Sequence, residues 1–283
     1  MPLPIRKALI VFFSPSGSTQ HVADMIEKKI RSLEISVTTI DLGREEDIPF
    51  LLPQLLDAKD NICLFIASPV YASHPAPPVM EFISVLPKAE KGFSVPFVTW
   101  GGVTSGIALY RMGKALQEKG YALLGAAKVL ARHSIMWACE APLGENHPDA
   151  DDDRMIEDLV ERVNLKLKSG YETGLPLSVL AYQKEEVHAE MASRPFESLR
   201  QNFPPRQVDE SRCNQCGVRR DQCPVQAISF DPYPVFGSSC VQCLNCVRLC
   251  PEKAVTTDLE PRIERIRARA KRFEERPLTG IFF

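Results

Sequence analysis

Short apolar runs alternate with amphipathic segments over the first 168 residues of the chain. The apolar runs predict five strands, at Ala8 to Phe13, Ser36 to Leu42, Ile62 to Ala67, Val95 to Trp100 and Tyr121 to Ala131. Segments with helical periodicity lie between and after them, at Ser18 to Ile30, Phe50 to Leu56, Pro77 to Leu86, Gly106 to Lys119 and Asp151 to Lys168. Strands buried on both faces of a sheet are apolar throughout, so residues 1–168 are predicted to form a doubly wound α/β domain around a parallel five-stranded sheet.

The pattern changes after residue 168. Residues 169–206 contain scattered glycines and prolines around a candidate helix at Leu177 to Met191, which predicts a linker. Seven of the nine cysteines fall within residues 207–258, which are predicted to form a small second domain. Residues 259–283 have apolar positions at helical spacing and predict a C-terminal helical tail, docked on a domain surface rather than extended as a partner-binding arm.

Composition and charge narrow the class of protein. Hydrophobic residues make up 45% and charged residues 25% of the 283 residues, which excludes a disordered chain. The net charge of −2 provides no overall electrostatic attraction for nucleic acid or an anionic membrane. No apolar run approaches the roughly 18 residues of a membrane span, and Ala8 to Phe13 is too short for a signal peptide. We therefore expect a cytoplasmic protein with no nucleic-acid partner and no membrane span.

A hydroxyl-rich loop follows the first predicted strand and precedes a helix. It contains Ser14, Ser16, Gly17, Ser18 and Thr19. Hydroxyls, backbone N–H groups and the positive end of a helix dipole together suit a phosphate. An ordinary Ser/Gly turn with a helix N-cap explains the same residues, so this loop alone leaves both interpretations open.

Two further loops end strands at the same predicted edge of the sheet, where doubly wound folds bind ligands. One contains Pro69 and Tyr71, and the other contains Trp100, Gly101 and Gly102. An aromatic side chain in each loop and glycines that let the backbone approach predict a flat ring between them. The alternative is that both aromatic side chains are merely half-buried.

Residues 5 to 168 resemble the flavodoxin family. Four residues match the T/S-x-T/S-G-x-T loop that binds the phosphate of FMN in that family: Ser14, Ser16, Gly17 and Thr19. Tyr71 and Trp100 fall in the two loops that flank the isoalloxazine ring there. Pro15 has no N–H group, which removes one donor that many flavodoxins have. The resemblance implies a flavodoxin-like fold and one FMN.

The cysteines form two runs of similar spacing. The second run is C-x2-C-x2-C-x3-C-P, with Cys240, Cys243, Cys246 and Cys250 followed by Pro251. The first run has Cys213, Cys216 and Cys223, but Arg219 stands where a third cysteine is expected. An intracellular cluster of this kind indicates a metal site rather than a disulfide framework. Structural zinc also uses C-x2-C pairs, whereas the full run is the ligand pattern of two-cluster ferredoxins.

Residues Val208 to Thr257 resemble the bacterial two-cluster ferredoxins, which implies an α+β iron–sulfur domain. In that family the fourth cysteine of each run ligates the other cluster. The resemblance therefore implies a complete [4Fe–4S] site with Cys223, Cys240, Cys243 and Cys246 as its ligands. It leaves a second site with Cys213, Cys216 and Cys250 only. A guanidinium has only donors, so Arg219 cannot replace a thiolate, and a [3Fe–4S] cluster, an open [4Fe–4S] cluster and an empty site are all compatible with the sequence.

Together the two resemblances point to the flavodoxin–ferredoxin fusion proteins. They imply an electron-transfer protein that passes electrons between ferredoxin-type clusters and FMN and that has redox partner proteins. Two alternatives are an FMN-dependent reductase of a small organic acceptor and a redox sensor. His74, His133 and Trp137 are candidates for a substrate pocket at the flavin rim, although residues of these types are more often surface or packing residues. The sequence leaves the oligomeric state and the direction of electron flow open.

Overall fold

The structure, a computed structural model, describes residues 7–44, 52, 62–90, 92–170 and 174–283. The strands in chain order, β1 to β12, are Lys7–Phe12, Ser36–Asp41, Ile62–Tyr71, His74–Pro75, Gly92–Trp100, Tyr121–Leu123, Ala126–Leu130, Gln207–Val208, Ile228–Phe230, Pro234–Phe236, Val255–Thr256 and Gly280–Phe282. The α-helices, α1 to α9, are Ser18–Ser32, Pro77–Val85, Ala108–Glu118, Ala150–Lys168, Glu185–Ala192, Phe196–Gln201, Val218–Asp221, Asn245–Arg248 and Glu260–Phe273. The short helix predicted at Phe50 to Leu56 lies outside the described residues except for Leu52.

The main sheet has the order β12-β7-β5-β3-β1-β2, and in addition β4 pairs with β3 and β6 pairs with β5. The neighbouring strands β2, β1, β3, β5 and β7 are parallel. Numbered among themselves, these five have the order 2-1-3-4-5 of the flavodoxin-like doubly wound fold. The predicted class of the main domain, a doubly wound α/β fold around a parallel five-stranded sheet, is confirmed.

Apolar layers lie on both faces of this sheet. One buried cluster contains residues of α1 and α4, and a second contains residues of α2 and α3. The Asp149 carboxylate caps α4 and accepts hydrogen bonds from the N–H groups of Asp151 and Asp152. The helices hold the sheet rigid, so the loops at its carboxyl edge start from fixed positions.

The fifth predicted strand, Tyr121 to Ala131, is divided into β6 and β7. Both halves pair with β5, through residues 92–94 and 97–100 respectively. Pro96 of β5 lies opposite the interruption at residues 124–125 and has no N–H to donate to a neighbouring strand. One hydrogen bond of the ladder is therefore missing at this point.

The C-terminal segment differs from the predicted helical tail. It contains α9, but residues 280–282 then form β12, which pairs antiparallel with β7 and extends the main sheet. The segment predicted as a linker also packs on the sheet, because Leu180 and Phe196 belong to the same buried cluster as α2 and α3. Within the described residues, no helix is both long and apolar enough to cross a membrane.

Candidate functional site

The loop between β1 and α1 has the geometry of an anion site. Gly17, the residue before α1, has a φ of 90°, a conformation that favours glycine. The Ser14 hydroxyl accepts a hydrogen bond from the Gln20 N–H at 2.9 Å. No described residue accepts a hydrogen bond from the N–H groups of Ser16, Ser18 or Thr19. These donors at the start of a 15-residue helix form a ready site for a phosphate.

Thr19 has a different position from the one its motif suggests. Its side chain is buried, and its hydroxyl lies 2.7 Å from that of Thr99 at the end of β5. This hydrogen bond joins the first loop to the strand that carries the third loop. The hydroxyl of Thr19 therefore has one partner within the protein, and its backbone N–H is also available to an anion.

A cavity of about 420 Å³, here called the edge cavity, lies at the carboxyl edge of the sheet. Its walls include predicted residues from all three loops: Ser16, Ser18, Pro69, Tyr71, Trp100 and Gly101. Gly102 is adjacent to the cavity wall and has a φ of 74°. A Cβ on Gly101 would lie 2.8 Å from the His133 ring, so only glycine fits between that ring and the cavity. The structure thus brings the predicted loops to one site.

Tyr71 lies at a strained turn. Strands β3 and β4 are joined by Ala72 and Ser73, whose φ values of 51° and 76° are unusual for residues other than glycine. The Ile107 N–H donates to the Ser73 carbonyl at 2.9 Å and helps to hold this turn in place. Strain of this kind clusters at binding sites, where it fixes a side chain in position.

Trp100 has little surface available for a ligand. It is 2% exposed, and its indole N–H donates to the Leu278 carbonyl of the C-terminal segment at 2.9 Å. The ammonium of Lys128 lies 5.4 Å from the ring centre. Of the two predicted aromatic residues, Tyr71 is the one that is only partly buried.

Of the three candidates for a substrate pocket, His133 is the one that lines the edge cavity. Burial, and then the positive charge of Arg262, lowers the pKa of His133 to about 4, so its ring is neutral at physiological pH. His74 is buried and is held by the Arg194 carbonyl and the Arg111 guanidinium. Neither His74 nor Trp137 belongs to the described lining of the cavity.

The seven cysteines of residues 207–258 separate into two groups. Burial, and then the neighbouring thiols of Cys246, Cys240 and Cys223, raises the pKa of Cys243 to about 12. These four cysteines, here called the complete site, are therefore electrostatic neighbours. Backbone N–H groups donate to two of the sulfurs, from Ala227 to Cys223 at 3.2 Å and from Gln242 to Cys240 at 3.4 Å. Such hydrogen bonds stabilise anionic sulfur.

The two cysteine runs have similar backbone conformations. Three pairs of residues 27 positions apart have positive φ at equivalent points: Gln215 with Gln242, Gly217 with Leu244, and Gln226 with Lys253. Helices α7 and α8 are related by the same offset. The offset also relates Arg219 to Cys246. The first run therefore keeps the loop conformation of the second although one cysteine is absent.

Arg219 lies inside the second group, here called the Arg219 site. Its side chain is 2% exposed, and its guanidinium donates to the sulfurs of both Cys250 and Cys213, the latter at 3.7 Å. Burial alone would raise the pKa of Cys250, but the hydrogen bond from Arg219 lowers it. Cys216, the remaining cysteine of this group, is exposed.

The cysteine-rich segment packs against the carboxyl edge of the sheet. Arg248, between Cys246 and Cys250, donates to the Pro15 carbonyl of the first loop at 2.8 Å. Val241 is buried in the core cluster that also includes Tyr71 and Cys243 at its margin. Burial, Cys243 and Cys240 raise the pKa of Tyr71, so its phenol lies near two residues of the complete site. Tyr71 therefore lines the edge cavity and lies within electrostatic reach of the cysteine group.

Three features of the site have no local sequence signal. The first is Arg248, whose contact with Pro15 spans 233 positions. The second is the buried ion pair of Lys128 and Glu275, which holds the C-terminal segment beside the Trp100 loop. The third is the arginine-rich face of α9, which lines the edge cavity. An amphipathic pattern is visible in α9, but its partner surface is not.

Comparison with known proteins gives similarity to solved structures only. No protein-family model and no curated protein matches the chain. The rubredoxin:oxygen oxidoreductase of Desulfovibrio gigas is 16% identical with a TM-score of 0.48, and the match covers 60% of this chain and 38% of that one. An archaeal flavodoxin is 19% identical with a TM-score of 0.42, and the match covers 57% of this chain and 99% of that one. Flavodoxin 1 of Bacillus cereus is also 19% identical, with a TM-score of 0.43, and the match covers 56% of this chain and 96% of that one. Similarity at this level carries no information about activity.

Proposed function

We propose that this chain is an electron-transfer flavoprotein that binds one FMN in the edge cavity and one [4Fe–4S] cluster at the complete site. The N–H groups of Ser16, Ser18 and Thr19 would hold the phosphate, and Tyr71 and Gly101 would lie beside the flavin ring. Cys223, Cys240, Cys243 and Cys246 would ligate the cluster. FMN accepts electrons in pairs and releases them singly, whereas a cluster exchanges one at a time. Redox partner proteins and a cytoplasmic location remain predictions.

The position of Tyr71 is the observation that carries this proposal. The residue lines the edge cavity and lies within electrostatic reach of Cys243 and Cys240. Arg248 holds the loop of the complete site against the phosphate loop. A cofactor in the cavity and one at the cysteines would therefore lie on neighbouring parts of the chain, which suits electron exchange between them.

The surroundings of the complete site fit an anionic cluster. Arg206 donates to the Cys240 sulfur at 3.1 Å and places a positive charge beside the thiolates. Within the described residues, the sulfurs of no three cysteines lie within 4.8 Å of one another. Tetrahedral zinc with bonds of about 2.3 Å needs its thiolates closer than that, whereas a cubane is larger. The wider spacing favours the cluster over zinc.

The Arg219 site is proposed to hold no cluster. The guanidinium stands in the place of the missing cysteine and hydrogen-bonds two of the three remaining sulfurs. It stays protonated and has no lone pair for iron. Its positive charge stabilises the anionic form of the Cys250 sulfur, so the first cysteine run would keep its fold without iron.

The test of this function uses a reductant too large to enter the cavity. The reconstituted chain is mixed without oxygen with a reduced ferredoxin, and flavin absorbance is followed. We expect rapid flavin reduction in the unmodified chain and a loss of at least about tenfold in the Cys243→Ala chain, which loses its cluster. Dithionite, which is small, reduces the flavin of both chains and serves as the control. Equal rates with the ferredoxin donor would refute the proposed route.

A second candidate function is reduction of a small organic acceptor at the flavin. The observation in its favour is the edge cavity, which is also lined by residues of α5, α6 and α9 beyond the three loops. An exclusive electron carrier needs no such additional compartment. Reoxidation of the reduced protein by free quinones or nitro compounds distinguishes the two functions.

A further inference from the structure

The wall of the edge cavity has a marked excess of positive charge. Five arginines line the cavity: Arg132, Arg194, Arg262, Arg265 and Arg269. The only carboxylate in the described lining is that of Glu190. It already accepts a hydrogen bond from Arg272 and forms an ion pair with Arg194. His133 adds no charge because its ring is neutral at physiological pH.

Three of these arginines come from one face of α9. Arg262, Arg265 and Arg269 stand three and four positions apart, so helical geometry directs them to the same side. Within the described residues, none of the three has a carboxylate within 4.0 Å. Arg262 lies over the Phe203 ring at 4.5 Å, and its Nε is buried without a hydrogen-bond partner. The positive charges are therefore close together and largely uncompensated.

Electrostatics within the cluster show that these charges repel one another. Burial, and then the like charges of Arg265 and Arg269, lowers the pKa of Arg262 to about 10. Burial and Arg194 lower the pKa of Arg269, although the Glu190 carboxylate opposes this shift. Arg262 and Arg269 are half-buried, whereas Arg265 is exposed. Partly buried like charges are unfavourable unless an anion joins them, and the planar guanidinium matches an oxyanion in two-point hydrogen bonds.

The FMN phosphate does not account for this cluster. In the proposed function that phosphate lies at the N-terminus of α1, where the protein cation is Arg248, bonded to Pro15. None of the five cavity arginines makes a described hydrogen bond to residues 14–19. Apolar residues beside the arginines include Met191, Phe203 and Ile266. A ligand that fits both features has an apolar body and an anionic group.

We propose that Arg262, Arg265 and Arg269, with Arg194 and Arg132 at the rim, form a binding compartment for an organic oxyanion, a carboxylate or a phosphate ester, beside the flavin. The assignment rests on the proposed function, because the ligand would occupy the same cavity as FMN and would be the small acceptor of the second candidate function. Binding there makes and breaks no covalent bond.

The experiment measures binding of benzoate, phenyl phosphate and neutral benzamide to the full chain at constant ionic strength. Perturbation of the flavin absorbance reports binding to the FMN-loaded protein, and equilibrium dialysis reports it with or without flavin. The double variant Arg262→Gln with Arg269→Gln removes two cavity charges. Arg267→Gln with Lys271→Gln removes two exposed charges from the same helix and is the matched control.

We expect the cavity variant to raise the Kd of benzoate or phenyl phosphate at least about tenfold, or about 1.4 kcal/mol, and the control to change it less than about twofold. Benzamide should bind weakly and equally to all three proteins. Single Arg269→Gln, which leaves Arg262 on Phe203, should show part of the loss if the double variant folds poorly. The FMN content of each variant should be unchanged.

Several outcomes would overturn the compartment. One is an FMN-loaded protein that binds neither anion, which leaves the proposed function intact. Another is equal weakening by the control variant, which would show that the whole basic helix acts, as a docking face for an acidic protein does. If the chain binds no FMN but dialysis still shows anion binding that the cavity variant abolishes, the compartment stands and the proposed function fails.

Discussion

The buried ion pair of Lys128 and Glu275 is expected to hold the C-terminal segment on the sheet. The two side chains are 1% and 8% exposed, and Nζ lies 2.6 Å from Oε1. The other carboxylate oxygen accepts from the Thr104 hydroxyl at 2.7 Å, the Ser105 N–H at 3.0 Å and the Gln183 amide at 2.9 Å. Glu275→Gln keeps the shape of the side chain and removes its charge.

The magnitude follows from burial and distance. At 2.6 Å and an effective dielectric constant of about 20, the attraction between the two charges is roughly 6 kcal/mol, most of it offset by desolvation in the intact pair. Loss of one partner leaves the Lys128 charge buried without compensation, which typically costs about 3 to 5 kcal/mol. We expect Glu275→Gln to destabilise the folded chain by this amount.

The assay is urea unfolding followed by tryptophan fluorescence in a Trp137→Phe background, where Trp100 alone reports. Its indole bonds the Leu278 carbonyl, so it senses the C-terminal segment directly. The urea midpoint should fall by at least about 1 M. Glu274→Gln, an exposed neighbour, is the control and should change stability by less than about 0.5 kcal/mol.

Removal of both charges and a change of pH test the same reasoning. Lys128→Met with Glu275→Gln should recover at least half of the loss, because no unpaired charge remains.

Burial would raise the pKa of Glu275, but Lys128 and the hydroxyl donors lower it. The stabilisation is therefore present above the pKa of about 4.3 in the unfolded chain and is lost as the pH falls through the folded value. A cost below about 1 kcal/mol at neutral pH would refute the reasoning.

Three further predictions concern the cofactor sites. Ser16→Asp should weaken FMN binding at least tenfold relative to Ser16→Asn but leave riboflavin binding unchanged, since only the phosphate meets the new charge; equal effects on both flavins would contradict the phosphate site. Arg219→Cys should raise the iron content from about four to about eight per chain and add a second reduced-cluster signal in electron paramagnetic resonance. Eight irons in the unmodified chain would contradict the proposal that the Arg219 site is empty. Arg248→Ala should slow flavin reduction by the ferredoxin donor severalfold at unchanged iron content, with Arg248→Lys intermediate; an unchanged rate would remove Arg248 from the junction.

The sequence determined the features that local rules govern. Continuous apolar runs such as Ile62 to Ala67 predict buried parallel strands, and the parallel sheet contains a strand at each predicted place, although the fifth is divided. The Ser16-Gly17-Ser18 turn before α1 was visible because strand, turn and helix signals adjoin in the chain. The cysteine spacing and the missing ligand at position 219 were equally visible, since they are properties of one short segment.

Tertiary structure decided which distant residues meet. The division of the fifth strand lies beside Pro96 in the neighbouring β5, and the hydrogen bond of the Thr19 hydroxyl joins it to Thr99. The C-terminal strand β12 is three residues long and gains its stability from the edge of β7, so no periodicity marks it. The basic face of α9 is an ordinary amphipathic pattern until the fold places it on the edge cavity. Contacts of this kind join residues far apart in sequence, and a local pattern does not specify its distant partner.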